Sequence, residues 1–400
     1  MDTNNTRIGD CIICNPTVKL EKGKECPVID IDKITVGRKF VENKETVIYS
    51  GQGGAKFENG DTLMARITPC LENGKIAQAR IEGKGIGSTE LFVFRGKEGV
   101  TDNEYVYYFL KQQYIRNLAA NSMTGASGRQ RADLKFIKKI KLNLPTLDVQ
   151  QRIASILSAY DNLIENNNKR IRLLEQMAEN LYKEWFVRFR FPGHEKAEFK
   201  NGLPKGWKRE KIGKVYNTCS GGTPSRVNED FYNNGSIPWV KTGELQDCLI
   251  HDAEELITED ALKRSSAKLL PNHSLLMAMY GVNIGKLGIL RKEMTCNQAV
   301  CAFLPKTADQ TFYYLYFYLK GIRNYLLSIS FGAAQQNLSQ ALIKNVRIMI
   351  PHNDTLQKFE NKVSCYFDQI SIYQRQNEQL ARQRDLLLPR LMSGKLEVKI

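Results

Sequence analysis

The feature that most constrains this chain is that it repeats itself. With Gln130 set against Gln336, a constant offset of about 206 residues pairs Ile137-Lys138 with Ile343-Lys344, Ile140 with Val346, Leu142 with Ile348 and Pro145 with Pro351. The register continues through Asp148 and Asp354, Gln151 and Gln357, Tyr160 and Tyr366, Ile164 and Ile370, Leu174 and Leu380, and Leu181 and Leu387. Upstream, the aromatic runs Tyr105 to Leu110 and Tyr313 to Leu319 fall in equivalent places, and Arg7-Ile8-Gly9 resembles Lys211-Ile212-Gly213 near each copy's start. Repetition on this scale fixes architecture before any motif does. A chain of 400 residues can also bury more than one core.

Each copy changes character part-way. Short runs such as Thr62 to Ile67, Leu91 to Phe94 and Lys286 to Leu290, bounded by Gly, Pro and Asn, read as strands. From Asp148 to about Arg188 there is then no Pro or Gly. Seam residues recur at spacings of three and four: Leu157, Tyr160, Ile164, Asn167, Ile171, Leu174, Ala178, Leu181 and Trp185. The second copy carries Val363, Tyr366, Ile370, Tyr373, Asn377, Leu380, Arg384, Leu387 and Leu391 in the same rhythm. Two heptad helices in one chain invite pairing with each other. The expected organisation is a mixed domain over 1–146, a long helix over 147–190, a turn-rich linker over 191–206, a second mixed domain over 207–351, and a second long helix with a tail over 352–400.

A formal net charge of +15 and a pI near 9.3 make a polyanion the first partner to consider, because neutralising phosphates releases condensed counterions. The N-terminal MDTNNTRIGD lacks the basic-then-apolar pattern of a signal peptide, and no window approaches a membrane span, so a cytoplasmic protein is expected. The nine cysteines are scattered; Cys11 and Cys14 form a CxxC with no second pair, and His194, His251, His273 and His352 lack ligand spacing, so no metal is expected. Catalytic signatures are also missing. Asn15-Pro16-Thr17 lacks the second proline and aromatic of an amino-methyltransferase motif, Glu-x-Lys triplets such as Glu82 to Lys84 arise by chance at this charge density, and Gly83-Lys84-Gly85 is no Walker A loop. A non-catalytic chain is expected; a regulator reading a split operator, or a self-contained nuclease or methyltransferase, are the rival readings.

The second copy carries Leu203-Pro204-Lys205-Gly206-Trp207, Ser220-Gly221-Gly222-Thr223-Pro224-Ser225, Ile237-Pro238-Trp239-Val240-Lys241-Thr242-Gly243-Glu244, and Ile284-Gly285-Lys286 followed by Cys296-Asn297-Gln298-Ala299. The first carries Gly60 to Leu71, Asn73-Gly74-Lys75 and Gly87-Ser88-Thr89-Glu90. In this order, on a domain-helix repeat, they resemble the specificity subunits of type I restriction-modification enzymes over nearly the whole chain. The resemblance implies an α+β fold with two mixed α/β target-recognition domains, each followed by a long helix, the two helices pairing as an antiparallel coiled coil. It implies one recognition domain per half of a bipartite double-stranded DNA target, held at fixed separation. Methyltransferase subunits would dock on the helices, joined by restriction and translocase subunits. S-adenosylmethionine, ATP and Mg would belong to those partners.

Side chains that read bases or grip phosphates are Arg, Lys, Gln, Asn, Ser and Thr in glycine-punctuated loops. The loop around Arg129, Gln130 and Arg131, and its counterpart around Gln335, Gln336 and Asn337, fit best, with the alternative that they only turn the chain into the strands before Pro145 and Pro351. The same choice applies to Arg66, Thr68, Lys75, Ser88 and Thr89 in the first domain. It applies equally to Thr223, Ser225, Arg226, Lys241, Tyr280, Asn283, Lys286 and Gln298 in the second. The aromatic runs are expected to be core. For the coiled coil, setting Asn167 opposite Asn377 spares both amides an apolar neighbour. Leu174 then faces Ile370, Leu181 faces Val363, Ile164 faces Leu380, Leu157 faces Leu387, Ala178 faces Tyr366 and Ile171 faces Tyr373. Tyr160 against Arg384 is the awkward layer, with the arginine expected to snorkel past the ring. The seam from Leu157 to Trp185 is a spacer roughly 40 Å long at 1.5 Å per residue.

Overall fold

The computed structural model describes residues 3–43, 45–125, 130–307, 310–329 and 337–398. The chain divides into two compact units, Met1–Lys169 with Tyr373–Ile400, and Arg170–Ile372. Each unit therefore holds one mixed domain, part of the helix that follows it, and part of the helix of the other repeat.

In the first unit, strand Thr3–Arg7 pairs antiparallel with Lys141–Pro145, so the two ends of the repeat close on each other. A one-turn helix, Ile8–Cys11, then lies against helix Leu134–Lys139. A Cβ on Gly9 would meet the Lys138 side chain at 3.1 Å and its carbonyl at 3.2 Å. The second unit repeats this closure with Lys208–Lys211 on Arg347–Ile350, and with Gly213 of helix Ile212–Val215 against Lys344 at 2.8 Å. The Ile-Gly and Ile-Lys signatures of each repeat are thus two sides of one contact, tight enough to require glycine.

The middle layer of the first unit is a five-stranded sheet in the order Ile12–Cys14, Leu91–Gly96, Thr62–Ala65, Ile76–Ala79 and Phe40–Val41, antiparallel except for the last pair. The second unit has the same order and directions in Asn217–Ser220, Val300–Leu304, Leu275–Ala278, Leu287–Leu290 and Cys248–Ile250. The inner strands Thr62–Ala65, Ile76–Ala79, Leu275–Ala278 and Leu287–Leu290 are buried at every position because both faces are covered. Met64, Phe92 and Phe94 pack with the aromatic helix, whereas Leu63, Val93 and Ala77 pack with Ile29 and Phe57 of a smaller sheet. That smaller sheet also has a common core, a parallel pair formed by Glu25–Ile29 with Lys84–Gly87 in one unit and by Ile237–Val240 with Thr295–Cys296 in the other.

The aromatic helices are Asn103–Lys111 and Tyr313–Gly321; Tyr105 to Leu110 are all buried, as are Tyr313 to Phe317 and Leu319. Asp102 caps the first by accepting from the Tyr105 amide at 2.8 Å. The second has no cap of its own. Buried Glu360, from the following long helix, accepts from the Tyr313 and Tyr314 amides at 3.0 and 2.9 Å and from Thr311 Oγ1 at 2.7 Å, which satisfies donors that a helix start leaves open.

The long helices are Leu147–Tyr182, continued by a π-turn at Lys183–Val187, and Asn353–Met392. Within the first unit they run antiparallel: Asn167 Nδ2 donates to Asn377 Oδ1 at 3.0 Å, and one to two turns back Asp161 pairs with Arg384. Leu157 is fully buried there, and Leu380 and Leu387 are half-buried. In the second unit Ala178, Val363 and Ile370 are buried, with Leu174, Leu181 and Tyr366 half-buried at the same core. The turn-rich stretch 191–206 is ordered, forming the hairpin Phe199–Lys200 with Leu203–Pro204, and Phe191 stacks on Trp207 at 5.0 Å in that core.

Arg384 does not snorkel. It is 1% exposed, and its guanidinium is held by Asp161, by Asp385 at 2.9 Å and by the Gly37 carbonyl at 3.4 Å. Tyr108 donates to Asp161 at 2.5 Å, and Lys39 bonds Glu104 and Ser158 nearby. Burying two charges costs several kcal/mol of hydration, which only such hydrogen-bonded pairing offsets. Lys111 sits less well: its ammonium lies 3.6 Å from Asp385, with no hydrogen bond to its buried nitrogen. Burial, aided by Arg384, pushes its pKa from 10.5 down to about 8. The unfolded chain therefore binds this proton more tightly, and native stability should rise with pH between about 8 and 10.5. Lys111→Met is expected to leave the first unit at least as stable near pH 7 and to remove that rise, as measured by urea unfolding across pH; a loss above about 2 kcal/mol with the slope intact would mean that the ammonium is favourably held.

Candidate nucleic-acid interface

Three loops meet beyond one end of the inner strands of each five-stranded sheet. In the first unit they are 66–75, 88–90 and the segment ending at Ala132. The Arg66 amide donates to the Glu90 carbonyl at 3.0 Å, the Ala132 amide to the Arg66 carbonyl at 2.8 Å, and the Thr68 amide to the Gln130 carbonyl at 3.0 Å. In the second unit the Met279 amide donates to the Ala299 carbonyl at 2.8 Å and the Leu338 amide to the Met279 carbonyl at 2.9 Å. The frame is the same, and the side chains it presents differ.

This frame brings together Arg66, Thr68, Ser88, Thr89, Gln130 and Arg131 in the first unit, of which Thr89 and Arg131 are exposed. Arg131 forks onto Glu90, with Nε at 2.9 Å and Nη2 at 2.6 Å, while Ser88 Oγ accepts from the Glu90 amide at 3.1 Å. Thr68 Oγ1 contacts Met123 Sδ at 3.2 Å. Lys75 lies at the far end of its loop, bonded to the Ile31 carbonyl at 2.9 Å. In the second unit the frame gathers exposed Tyr280, Gln298 and Asn337; Thr223 joins them by donating to Gln298 Oε1, and Ser225 lies exposed just beyond. Arg129, Gln335 and Gln336 lie outside the described residues.

Several cations in the second unit are already paired. Arg226 and Lys241 both bond Glu255, at 2.6 and 2.9 Å, and Arg226 also lies over the Tyr232 ring at 4.2 Å. Their charge is neutralised locally, and the Glu255 carboxyl is held low by them. Lys286 lies 3.3 Å from Asp247, which also holds Arg323 and accepts from the Leu287 amide at 3.1 Å. Asn283 spends its amide on the Thr242 and Gly243 carbonyls, each at 3.0 Å.

The first unit keeps an open cleft beside its frame, about 420 Å³, lined by Asn15, Thr17, Lys56, Arg66, Thr89 and neighbouring apolar residues, with no carboxylate in its wall. Arg66 rests over the Phe92 ring at 5.0 Å and has no carboxylate ion pair among the described residues. Asn15 takes a left-handed φ of 51° and accepts from the Val93 amide at 2.9 Å. Lys56 and Asn15 are functional candidates that residue spacing does not reveal, because the cleft forms between two sheets far apart in sequence. Such a wall suits a phosphate or the acceptor edge of a base. The Cys11 and Cys14 thiols are each pushed up to about 11, chiefly by burial, so both are protonated near pH 7. Among the described residues no helix is long and apolar enough to cross a membrane.

The family described as "Type I restriction modification DNA specificity domain" matches residues 6–176 and again 204–382. The chain belongs to this family. It is 29% identical over 314 residues to the MjaIX specificity subunit of Methanocaldococcus jannaschii, covering 76% of this chain and 71% of that one. It is 23% identical to the HindI specificity subunit of Haemophilus influenzae, over 86% and 88% of the two chains. The crystal structure of a type I restriction-modification S subunit from M. genitalium superposes with a TM-score of 0.57 over 99% of this chain and 97% of its own, at 15% identity, a likeness of fold.

Two of these loops in this specificity-family chain turn on a glycine with positive φ. Gly285, before Lys286, has φ +77°, and a Cβ there would lie 3.0 Å from Arg323 Cγ; Gly74, before Lys75, has φ +76° against Arg116. Gly285→Ala should cost about 1 to 2 kcal/mol. Gly243→Ala, which meets nothing within 4 Å, should stay within about 0.5 kcal/mol. Urea unfolding of both variants by circular dichroism checks this, and equal midpoints would contradict it.

Proposed function

We propose that this chain is the non-catalytic DNA-reading subunit of a type I restriction-modification complex, with one half of a split double-stranded target read by each unit. The observation that carries the reading is the three-loop frame, built twice with two backbone hydrogen bonds in common and furnished with different side chains. Two readers on one frame suit a target of two unlike halves.

In this account base contacts come from the loop tips, Arg66, Thr89, Gln130 and Arg131 in the first unit and Tyr280, Gln298, Asn337 and Thr223 in the second. Lys75, Lys241, Lys286 and Arg226 shape the loops and add phosphate contacts where their carboxylate partners yield. The functional division follows the boundaries 1–146, 147–190, 191–206, 207–351 and 352–400, the helices serving as spacer and as the docking surface for methyltransferase subunits, with restriction and translocase subunits joining them in the cytoplasm. S-adenosylmethionine, ATP and Mg belong to those partners.

The test is co-expression with the neighbouring methyltransferase gene product, followed by sequencing of modified bases. Methylation should appear at one split motif and only when this chain is present; methylation without it, or at an undivided motif, would contradict the reading. In the same assay Arg66→Ala should relax selectivity by about 1 to 3 kcal/mol at one half-site and leave the other intact. Degeneracy in both halves would show that the units do not read independently.

A further inference from the structure

A duplicated chain has an ambiguity that its own symmetry creates. The helix of each repeat can pair with the helix of the other repeat, or with the same helix of a second copy. The lysine that ends each aromatic helix does nothing to resolve it. Lys111 lies 3.6 Å from Asp385 in the first unit, and Lys320 bonds Glu179 at 3.0 Å in the second. Asp385 and Glu179 are equivalent under the 206-residue shift, so a like-with-like seam would offer each lysine a carboxylate all the same.

Two other layers behave differently. Asp161 corresponds to Phe367 and Arg384 to Ala178. The first unit therefore buries an ion pair where the second buries a small residue and a ring, Phe367 packing on Tyr313 at 4.5 Å and Tyr316 at 5.9 Å. Likewise Asn167 corresponds to Tyr373 and Asn377 to Ile171. In a seam between two first helices, each Asn167 would face Ile171 and each Asp161 would face Ala178. Between two second helices, each Asn377 would face Tyr373 and each Arg384 would face Phe367. Asn167, Asn377, Asp161 and Arg384 would each lose the partner it has across the seam, leaving Asp161 only Tyr108 and Arg384 only Asp385 of those described, a costly change for charges so buried.

We propose that the Asn167–Asn377 and Asp161–Arg384 layers form a pairing code: they make the chain close on its own other repeat and exclude seams between like repeats of two chains. The inference rests on the packing of the helices and not on the DNA-reading assignment, so either can fail alone. Its determinants are four side chains, and the seam can be made indifferent by giving each layer the chemistry of its equivalent, in the full-length variant D161F/N167Y/N377I/R384A.

In a like seam the two copies of exposed Lys169 lie at the two-fold axis, because Asn167 of each chain would face Ile171 of the other. Full chains are unfolded in urea, refolded together and treated with an amine-reactive cross-linker, and the Lys169-to-Lys169 conjugate, which can only join two chains, is quantified by mass spectrometry. The natural chain should give essentially none, and the fourfold variant at least about a hundredfold more, as expected for regained pairing of buried groups. Equal conjugate in both chains, or none in a variant that circular dichroism shows to be folded, overturns the proposal. Should the fourfold variant not fold, Arg384→Ala decides. It leaves Asp161 without a cation across the seam in either arrangement, so that layer no longer discriminates, and the conjugate should rise at least about tenfold; a lower Tm with no conjugate marks mere packing and also overturns it.

Discussion

The pairing of Asp161 with Arg384 is the interaction on which the first half of the molecule depends, because it joins three elements at one buried point inside their shared core. Asp161 lies on the first long helix, Arg384 on the second, and Tyr108, which donates to the same carboxylate, on the aromatic helix of the recognition domain. Both charged side chains are 2% exposed. An ion pair so buried gives little net stability over an apolar pair of similar volume, yet breaking it leaves an unpaired charge in a dry layer. Its effect is therefore one of choice: few arrangements of the three elements satisfy it. The second half relies on Glu360, whose carboxylate ties the other long helix to the start of an aromatic helix. Each long helix is thus tied to its aromatic helix by a carboxylate, at positions that the repeat does not make equivalent.

Beyond these junctions the two units share the five-stranded sheet and differ in the smaller sheet, four-stranded in the first and three-stranded in the second, and in the loops. Strand order, direction and the closure of each repeat's ends are shared, and so are two of the backbone bonds that draw the loops together at one end of the inner strands. Side chains on these loops differ between the units, because the shared part of the frame is held by backbone hydrogen bonds. The first unit keeps an uncommitted arginine in an open cleft, while the second neutralises Arg226 and Lys241 on Glu255. A rigid frame with replaceable tips is what a reader of changeable sequence requires.

Much of the fold is legible in residue order because the repeat shows it twice. The heptad rhythm marks both long helices, and the continuous apolar runs Leu63-Met64-Ala65 and Leu275-Leu276-Met277 mark strands covered on both faces. The partner of Arg384 is not legible. Seam spacing places Tyr160 opposite it, and Asp161, one residue off the seam, turns inward only because the recognition domain supplies a wall and a Tyr108 hydroxyl. The site is less legible still. Lys56 enters the cleft from a strand of the smaller sheet, and the pairing of Arg226 and Lys241 with Glu255 depends on folds of the chain that no local pattern encodes.

The most direct measurement of the account is a double-mutant cycle on Asp161 and Arg384 in the full chain, with urea unfolding of Asp161→Ala, Arg384→Ala and the pair. If the two side chains are the buried junction described, each single change should cost about 3 to 5 kcal/mol and the double change little more than either alone. Costs that add to within about 0.5 kcal/mol would show two independent residues and no junction.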